Sequence, residues 1–244
     1  MLGLPSQVTA CLFDLDGVLT QTALVHNAAW KQTFDAFLKS WADQRGEPFV
    51  PFDSEADYHR YVDGRQRADG VRTFLASRDI TLPEGDPDDT PDRETVNGIG
   101  NRKNLLVLQK IKEGAVQVYP GSVEYLKAAH AAGLRRAVVS ASANCKDVLE
   151  AAGIADLLEA RVDGVVAREL GLPGKPAPDT FLKGAELLGI DPANCAVFED
   201  AQAGVAAGRA GGFGIVIGVD RVGQADALRE HGADVVVKDL KDLL

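Results

Sequence analysis

The feature that most constrains this chain is a recurrence of short apolar runs that stop at a carboxylate or a hydroxyl. Residues 8–13 form the first run, and Asp14 ends it. Residues 137–139 stop at Ser140, and residues 195–198 stop at Glu199 and Asp200. Two further runs lie at 213–217 and 233–237. Short runs bounded by polar residues or glycine suit strands buried on both faces of a parallel sheet. Amphipathic stretches separate them at 123–132, 146–152, 180–188, 204–210 and 224–230. Strand–helix alternation of this kind predicts an α/β fold built on a doubly wound, Rossmann-like parallel sheet.

Residues 22–112 break the alternation. Helical patterns run over 22–42, 55–62, 66–78 and 95–112, with no buried strand among them. Two loops punctuate them, at 46–53 and 83–92, the second acidic and rich in proline. The expected organisation is an α/β core domain made of residues 1–21 and 113–244, carrying the catalytic site. An all-helical cap domain, 22–112, is inserted after the first strand, and the core resumes near Tyr119-Pro120-Gly121. A length of 244 residues accommodates one core domain with a smaller one attached.

Bulk chemistry narrows the function. A net charge of −10 argues against a general nucleic-acid binder, which needs a basic face for phosphates. It leaves room for a small anionic substrate held by a few local cations. No apolar run approaches the roughly 20 residues of a membrane helix, and the N-terminal stretch lacks the basic-then-apolar pattern of a signal peptide. Cys11, Cys145 and Cys195 make neither a disulfide framework nor a zinc spacing, so thiols in a reducing cytoplasm are expected. Nothing in the sequence speaks for or against a protein partner.

In an open parallel sheet, ligands bind beyond the carboxyl ends of the strands. Asp14, Ser140 and Asp200 are therefore expected to converge, although they lie far apart in the chain. Gly17, closing Asp14-Leu15-Asp16-Gly17, lets backbone approach a ligand closely. Asp14, Asp16, Glu199 and Asp200 would repel one another unless a cation sat among them, and oxygen donors favour Mg²⁺ over zinc.

FDLDGVLT at 13–20, Ser140 at a strand end, Lys175 within GKPAPD, and FED at 198–200 resemble the four motifs of the haloacid dehalogenase-like superfamily. Order and spacing agree, and the resemblance extends over essentially the whole chain. It implies that Asp14 attacks phosphorus to form an aspartyl-phosphate, which splits one hard step into two. Asp16 is then the general acid and base. Mg²⁺ would be held by the Asp14 carboxylate, the Asp16 backbone carbonyl and Asp200, with Glu199 in support. Ser140 and Lys175, with Ala141 and Asn144 of the SASAN stretch, would hold phosphoryl oxygens.

Residues outside the four motifs resemble the β-phosphoglucomutase family within that superfamily. His26 and Trp30 lie in HNAAW, Gly64, Arg65 and Arg67 in VDGRQR, and Lys103 in NRKN. The resemblance implies that these cap residues bind a sugar phosphate, with Arg67 offering a planar fork to a distal phosphate. Cap closure around residues 20–22 would exclude water, so that the phosphoryl group passes to sugar. The chain departs from compact mutases through 40–53, through the acidic loop, and through extra residues at 166–174 ahead of Lys175. Each cap residue also has a plainer reading: a surface histidine, a core tryptophan, solvated cations. A sugar phosphate phosphatase on the same scaffold is the alternative function, and a non-catalytic binding module the remote one.

Overall fold

A computed structural model of the chain describes residues 2–244. The chain divides into two compact units, one comprising the segment up to Thr22 together with Val116–Leu244, the other Ala23–Ala115. Among the described residues no helix is long and apolar enough to cross a membrane.

The larger unit is a six-stranded sheet in the order β3-β2-β1-β4-β5-β6. Its strands are β1 (Ala10–Phe13), β2 (Arg135–Val139), β3 (Ala160–Val162), β4 (Cys195–Glu199), β5 (Ile215–Val219) and β6 (Val235–Val237). Every pairing is parallel. β1 and β4 are buried along their whole length, which explains why their sequences are continuous apolar runs rather than alternating ones. Helices α4 (Pro120–Ala131), α5 (Cys145–Ala152), α6 (Gly164–Glu169), α7 (Asp179–Leu188), α8 (Gln202–Ala210) and α9 (Ala225–Glu230) connect the strands. One core joins Leu12, Val139 and Val197 to Phe181 and Leu188 of α7 and Val205 of α8. Phe13, Phe198 and Tyr125 of α4 pack together separately, the two phenylalanines stacked with centroids 4.6 Å apart.

This strand order explains where a site forms. From β1 the chain builds outward to β2 and β3, then returns to build β4, β5 and β6 on the other side. β1 and β4 flank the point where the winding reverses, and a crevice opens there beyond their carboxyl ends. Asp14 follows β1 directly, and its N–H donates to Phe198 O at 2.9 Å.

The smaller unit is helical. It holds most of α1 (Thr22–Arg45), a π-helical turn over Tyr58–Val62, α2 (Arg67–Ala76) and α3 (Val96–Lys112). Trp30, Phe34 and Leu38 recur every fourth residue on α1 and share one buried face. Phe34 stands at the centre of the aromatic core: its ring lies 4.9 Å from Trp30, 5.3 Å from Phe52 and 4.2 Å from Phe74. Thr95 caps α3, its side chain accepting from Gly98 N–H at 2.9 Å.

Two elements had no clear sequence signal. β3 has only three residues, Ala160-Arg161-Val162, too few for a visible run. α6 occupies the start of the stretch taken as extra residues before Lys175, capped by Asp163, which accepts from Val165 and Val166 N–H at 3.0 Å each.

Candidate active site

Asp14 is almost wholly buried, at 5% exposure. Lys175, carried by the loop ahead of α7, reaches it: Nζ lies 2.5 Å from Asp14 Oδ1, 2.9 Å from Glu199 Oε1 and 3.1 Å from Val139 O. The ammonium thereby bridges the carboxyl ends of β1, β2 and β4. Burial alone would lower its pKa, but Asp14 and Glu199 outweigh burial and hold it above the ordinary lysine value. Asp14 is pushed the other way. Burial, then the Glu199 carboxylate, raise its pKa well above the usual carboxylate range, and Lys175 only partly opposes them.

Glu199 is fixed by its backbone surroundings. Its Oε2 accepts from the N–H groups of Asp200 at 2.8 Å and Ala201 at 3.3 Å, just ahead of α8. Gly204 makes room for it: a Cβ there would sit 1.5 Å from Glu199 Oε1. Gly17 does the same for Asp200. It has φ +91°, and a Cβ on it would lie 1.7 Å from Asp200 Oδ2.

Asp16 faces a different set of partners. Thr22 Oγ1 donates to its Oδ1, and Ser140 Oγ donates to its Oδ2 at 3.4 Å. Thr20 Oγ1 lies 2.7 Å from Thr22 Oγ1. Hydroxyls on both oxygens hold the Asp16 carboxyl in place, which suits a group that exchanges protons with a substrate hydroxyl. The backbone around it turns tightly, with Gly17 N–H donating to Thr20 O at 2.7 Å. The crossing segments are stitched together by Tyr119 N–H to Leu19 O and Gln21 N–H to Gln117 O.

Ser140 continues the end of β2, its N–H donating to Val162 O. Ser142 N–H turns back to Ser140 Oγ at 3.1 Å, and Asn144 leads into α5 from a buried position. Ala141 lies half-buried in that turn. Gly164 packs against the same turn, its N–H donating to Ser142 O at 3.1 Å.

Asp14, Glu199 and Asp200 each offer a carboxylate oxygen, all within 4.8 Å of one another and all buried. Lys175 pairs with two of these three carboxylates, so among these four groups negative charge is in surplus once the acids are ionised. That surplus, with the raised pKa of Asp14, is what a hard divalent cation would offset. The donor set therefore fits a metal, and the all-oxygen chemistry fits Mg²⁺ better than zinc.

In the helical unit, His26 and Lys103 come together: Lys103 Nζ lies 2.7 Å from His26 Nδ1 and 4.9 Å from the centroid of the Trp30 ring. Lys103 is buried, at 5% exposure, so it is not a solvated cation. Trp30 serves as core and as the face under Lys103 at once. Gly64, at φ +69°, ends the segment after the π-helical turn. Arg65 and Arg67 are half-buried, and the Arg67 stem lies along Gly100 of α3, where a Cβ would come within 3.2 Å of its Cγ. Sequence reasoning did not single out the Thr22 hydroxyl as the partner of Asp16. It also passed over Arg221, and it read Gln224 only as the start of the amphipathic stretch 224–230.

A buried carboxylate paired with a buried lysine at the reversal point of a parallel sheet, beside a hydroxyl-held second carboxylate, marks the candidate active site of an α/β enzyme. Comparison with known proteins specifies it further. The model of the haloacid dehalogenase-like hydrolase family matches residues 8–212. A β-phosphoglucomutase of Mycobacterium bovis is 58% identical over all of this chain and 94% of its own length. Hexitol phosphatase A of Escherichia coli is 29% identical, over 95% of this chain and 91% of its own. A crystal structure of a β-phosphoglucomutase from Clostridium difficile superposes with a TM-score of 0.76 at 26% identity, covering 97% and 93% of the two chains. The chain belongs to the haloacid dehalogenase-like hydrolase family, as an enzyme of its phosphomutase branch.

Proposed function

We propose that this enzyme interconverts β-D-glucose 1-phosphate and glucose 6-phosphate through the 1,6-bisphosphate, with Mg²⁺ and an aspartyl-phosphate on Asp14. The observation that carries the chemistry is Asp14 itself, buried and held through Oδ1 by Lys175. That contact leaves the other carboxylate oxygen for phosphorus. The full-length relationship to a mycobacterial β-phosphoglucomutase supports the sugar.

In the first half-reaction, phospho-Asp14 faces the 6-hydroxyl of glucose 1-phosphate. Asp16 takes the hydroxyl proton as the oxygen attacks phosphorus, and the bond from phosphorus to Asp14 breaks. The product is the bisphosphate. In the second half-reaction, Asp14 attacks the phosphorus at C1, and Asp16 returns its proton to the departing oxygen. Lys175, with Ser140 and the 141–144 turn, balances charge on the transferred group. Mg²⁺, held by Asp14, the Asp16 carbonyl and Asp200 with Glu199 in support, would neutralise the charge developing at phosphorus. His26, Trp30, Gly64, Arg65, Arg67 and Lys103 serve the sugar and its second phosphate, with Arg67 as the planar fork.

The test supplies β-glucose 1-phosphate, Mg²⁺ and a trace of the bisphosphate. Glucose 6-phosphate without free phosphate is expected. Stoichiometric release of phosphate overturns the reading and favours hydrolysis of a sugar phosphate, the alternative that the relationship to a hexitol phosphatase keeps specific.

A further inference from the structure

The loop after β5 reaches back to both acidic segments of the site. Asp220 organises it: Oδ1 accepts from the backbone N–H groups of Val222 at 3.3 Å, Gly223 at 2.7 Å and Gln224 at 2.8 Å. Two side chains project from this frame. Arg221 Nε donates to Gly17 O at 3.0 Å, and Nη2 donates to Val18 O at 3.4 Å and to Ser122 Oγ at 3.2 Å. Gln224 Nε2 donates to Asp200 O at 2.9 Å, and Gln202 Nε2 donates in turn to Gln224 Oε1 at 3.2 Å.

Arg221 is itself firmly held. Its Nη1 donates to Lys238 O and to Asp239 Oδ2, both at 2.8 Å, and its guanidinium carbon lies 3.6 Å from the centroid of the Tyr119 ring. Pairing with Asp239 offsets its charge. Its side chain keeps only 12% exposure. A surface arginine in solvent would show neither the fixed partners nor the burial.

The place where these contacts fall matters. The ladder between β1 and β4 pairs Phe13 with Phe198 and extends to Asp14 N–H on Phe198 O. Beyond it, residues 15–18 and residues 200–201 leave the sheet, yet Gly17 lies so close under Asp200 that no Cβ fits between them. Something must hold two irregular segments at that separation. Arg221 grips the carbonyls of one, and Gln224 grips the carbonyl of the other.

We propose that residues 220–224 form a clip, in which Arg221 and Gln224 are positioning residues that set the spacing of the 14–18 segment from Asp200 and so tune affinity for a divalent cation. The clip rests on the metal site proposed above. Groups behind the direct ligands orient them, and their loss typically weakens metal binding by about 10–100-fold.

The test measures Mn²⁺ binding to the full-length protein by electron paramagnetic resonance, without substrate. Variants are Arg221→Ala, Arg221→Lys and Gln224→Leu, with Arg229→Ala, an exposed residue of α9 paired with Asp226, as the control. Arg221→Ala should raise the Mn²⁺ Kd about tenfold or more and Gln224→Leu by a smaller factor, with the control unchanged. Saturating Mg²⁺ should restore turnover with the sugar phosphate KM unaltered, an outcome that general loosening of the fold does not produce. If Arg221→Ala fails to fold, Gln224→Leu and Arg221→Lys carry the same comparison. Variants that bind Mn²⁺ as tightly as the parent, or whose lost turnover excess Mg²⁺ does not recover, overturn the clip. A parent protein that binds no Mn²⁺ overturns the metal site and the clip together, so the two failures are distinct.

Discussion

Replacing Lys175 with methionine removes the ammonium that pairs with Asp14 and Glu199 in a cluster of three buried carboxylates, while keeping the length and apolar stem of the side chain. Lys175 Nζ is fully buried and makes three contacts, two of them to carboxylates at 2.5 and 2.9 Å. Removing one partner of such a buried set typically costs about 3–5 kcal/mol, because the remaining charges are left uncompensated. For a domain of this size each kcal/mol shifts Tm by about 2–4 °C, so a fall of roughly 6–20 °C is expected. The loss should depend on pH. A carboxylate whose folded pKa is raised contributes stability that is present below its unfolded value and is lost as pH rises through the folded value. Asp14 is already in that position, and without Lys175 its pKa climbs further. The deficit against the parent should therefore grow as pH rises through the raised Asp14 pKa, and Mg²⁺ should recover part of it by supplying the missing charge. Thermal melts followed by circular dichroism, across a pH series with EDTA or MgCl₂, measure this. A shift under about 2 °C, or a deficit that nowhere grows with pH, refutes the electrostatic account of the site.

Three further outcomes follow from the same geometry. Asp16→Asn keeps the shape of the carboxyl but cannot exchange its proton, so kcat should fall by about 10²–10⁴-fold while phosphorylation of Asp14 by a substrate with a good leaving group, such as acetyl phosphate, survives; mass spectrometry of the intact protein reads this. Gly17→Ala places a methyl group 1.7 Å from Asp200 Oδ2 at a φ of +91°, and calorimetry should show loss of Mg²⁺ binding with a smaller loss of melting temperature. Phe34→Ala empties the centre of the helical unit's aromatic core, at a cost of about 3–5 kcal/mol, and hydrogen exchange should report the destabilisation in residues 23–115 with the sheet protected as before.

The sheet could be read in advance because its strands are buried on both faces and so leave continuous apolar runs at 10–13 and 195–198. Asp14, Ser140, Glu199 and Asp200 could be read because chemistry at strand ends interrupts those runs. β3 could not, since three residues carry no periodicity. Glu55–Val62 has a helical pattern, but its final five residues take the wider π turn, a distinction that hydrogen bonding rather than composition decides. Thr22 was legible as part of a crossing into the helical unit and not as the hydroxyl on Asp16, because its role depends on the direction of one side chain. Arg221 was hidden for another reason. Its partner Gly17 lies 204 positions away, and a charged residue in a turn ordinarily faces water.

The placement of β1 in the middle of the sheet also governs when the nucleophile's surroundings come into being. β1 is the earliest strand in the chain, yet its neighbours are β2 and β4, and the groups that surround Asp14 arrive late. Lys175 follows Asp14 by 161 positions, and Arg221 follows Gly17 by 204. Pairings so distant in sequence form slowly, since each closes a long loop before any contact rewards it. During synthesis, β1 must wait as an unpaired apolar strand until most of the protein has been made. The helical unit, a compact unit made of the contiguous residues 23–115, can condense meanwhile. Slow closure of the central sheet, rather than chemistry at Asp14, would then set the pace at which newly made protein becomes active.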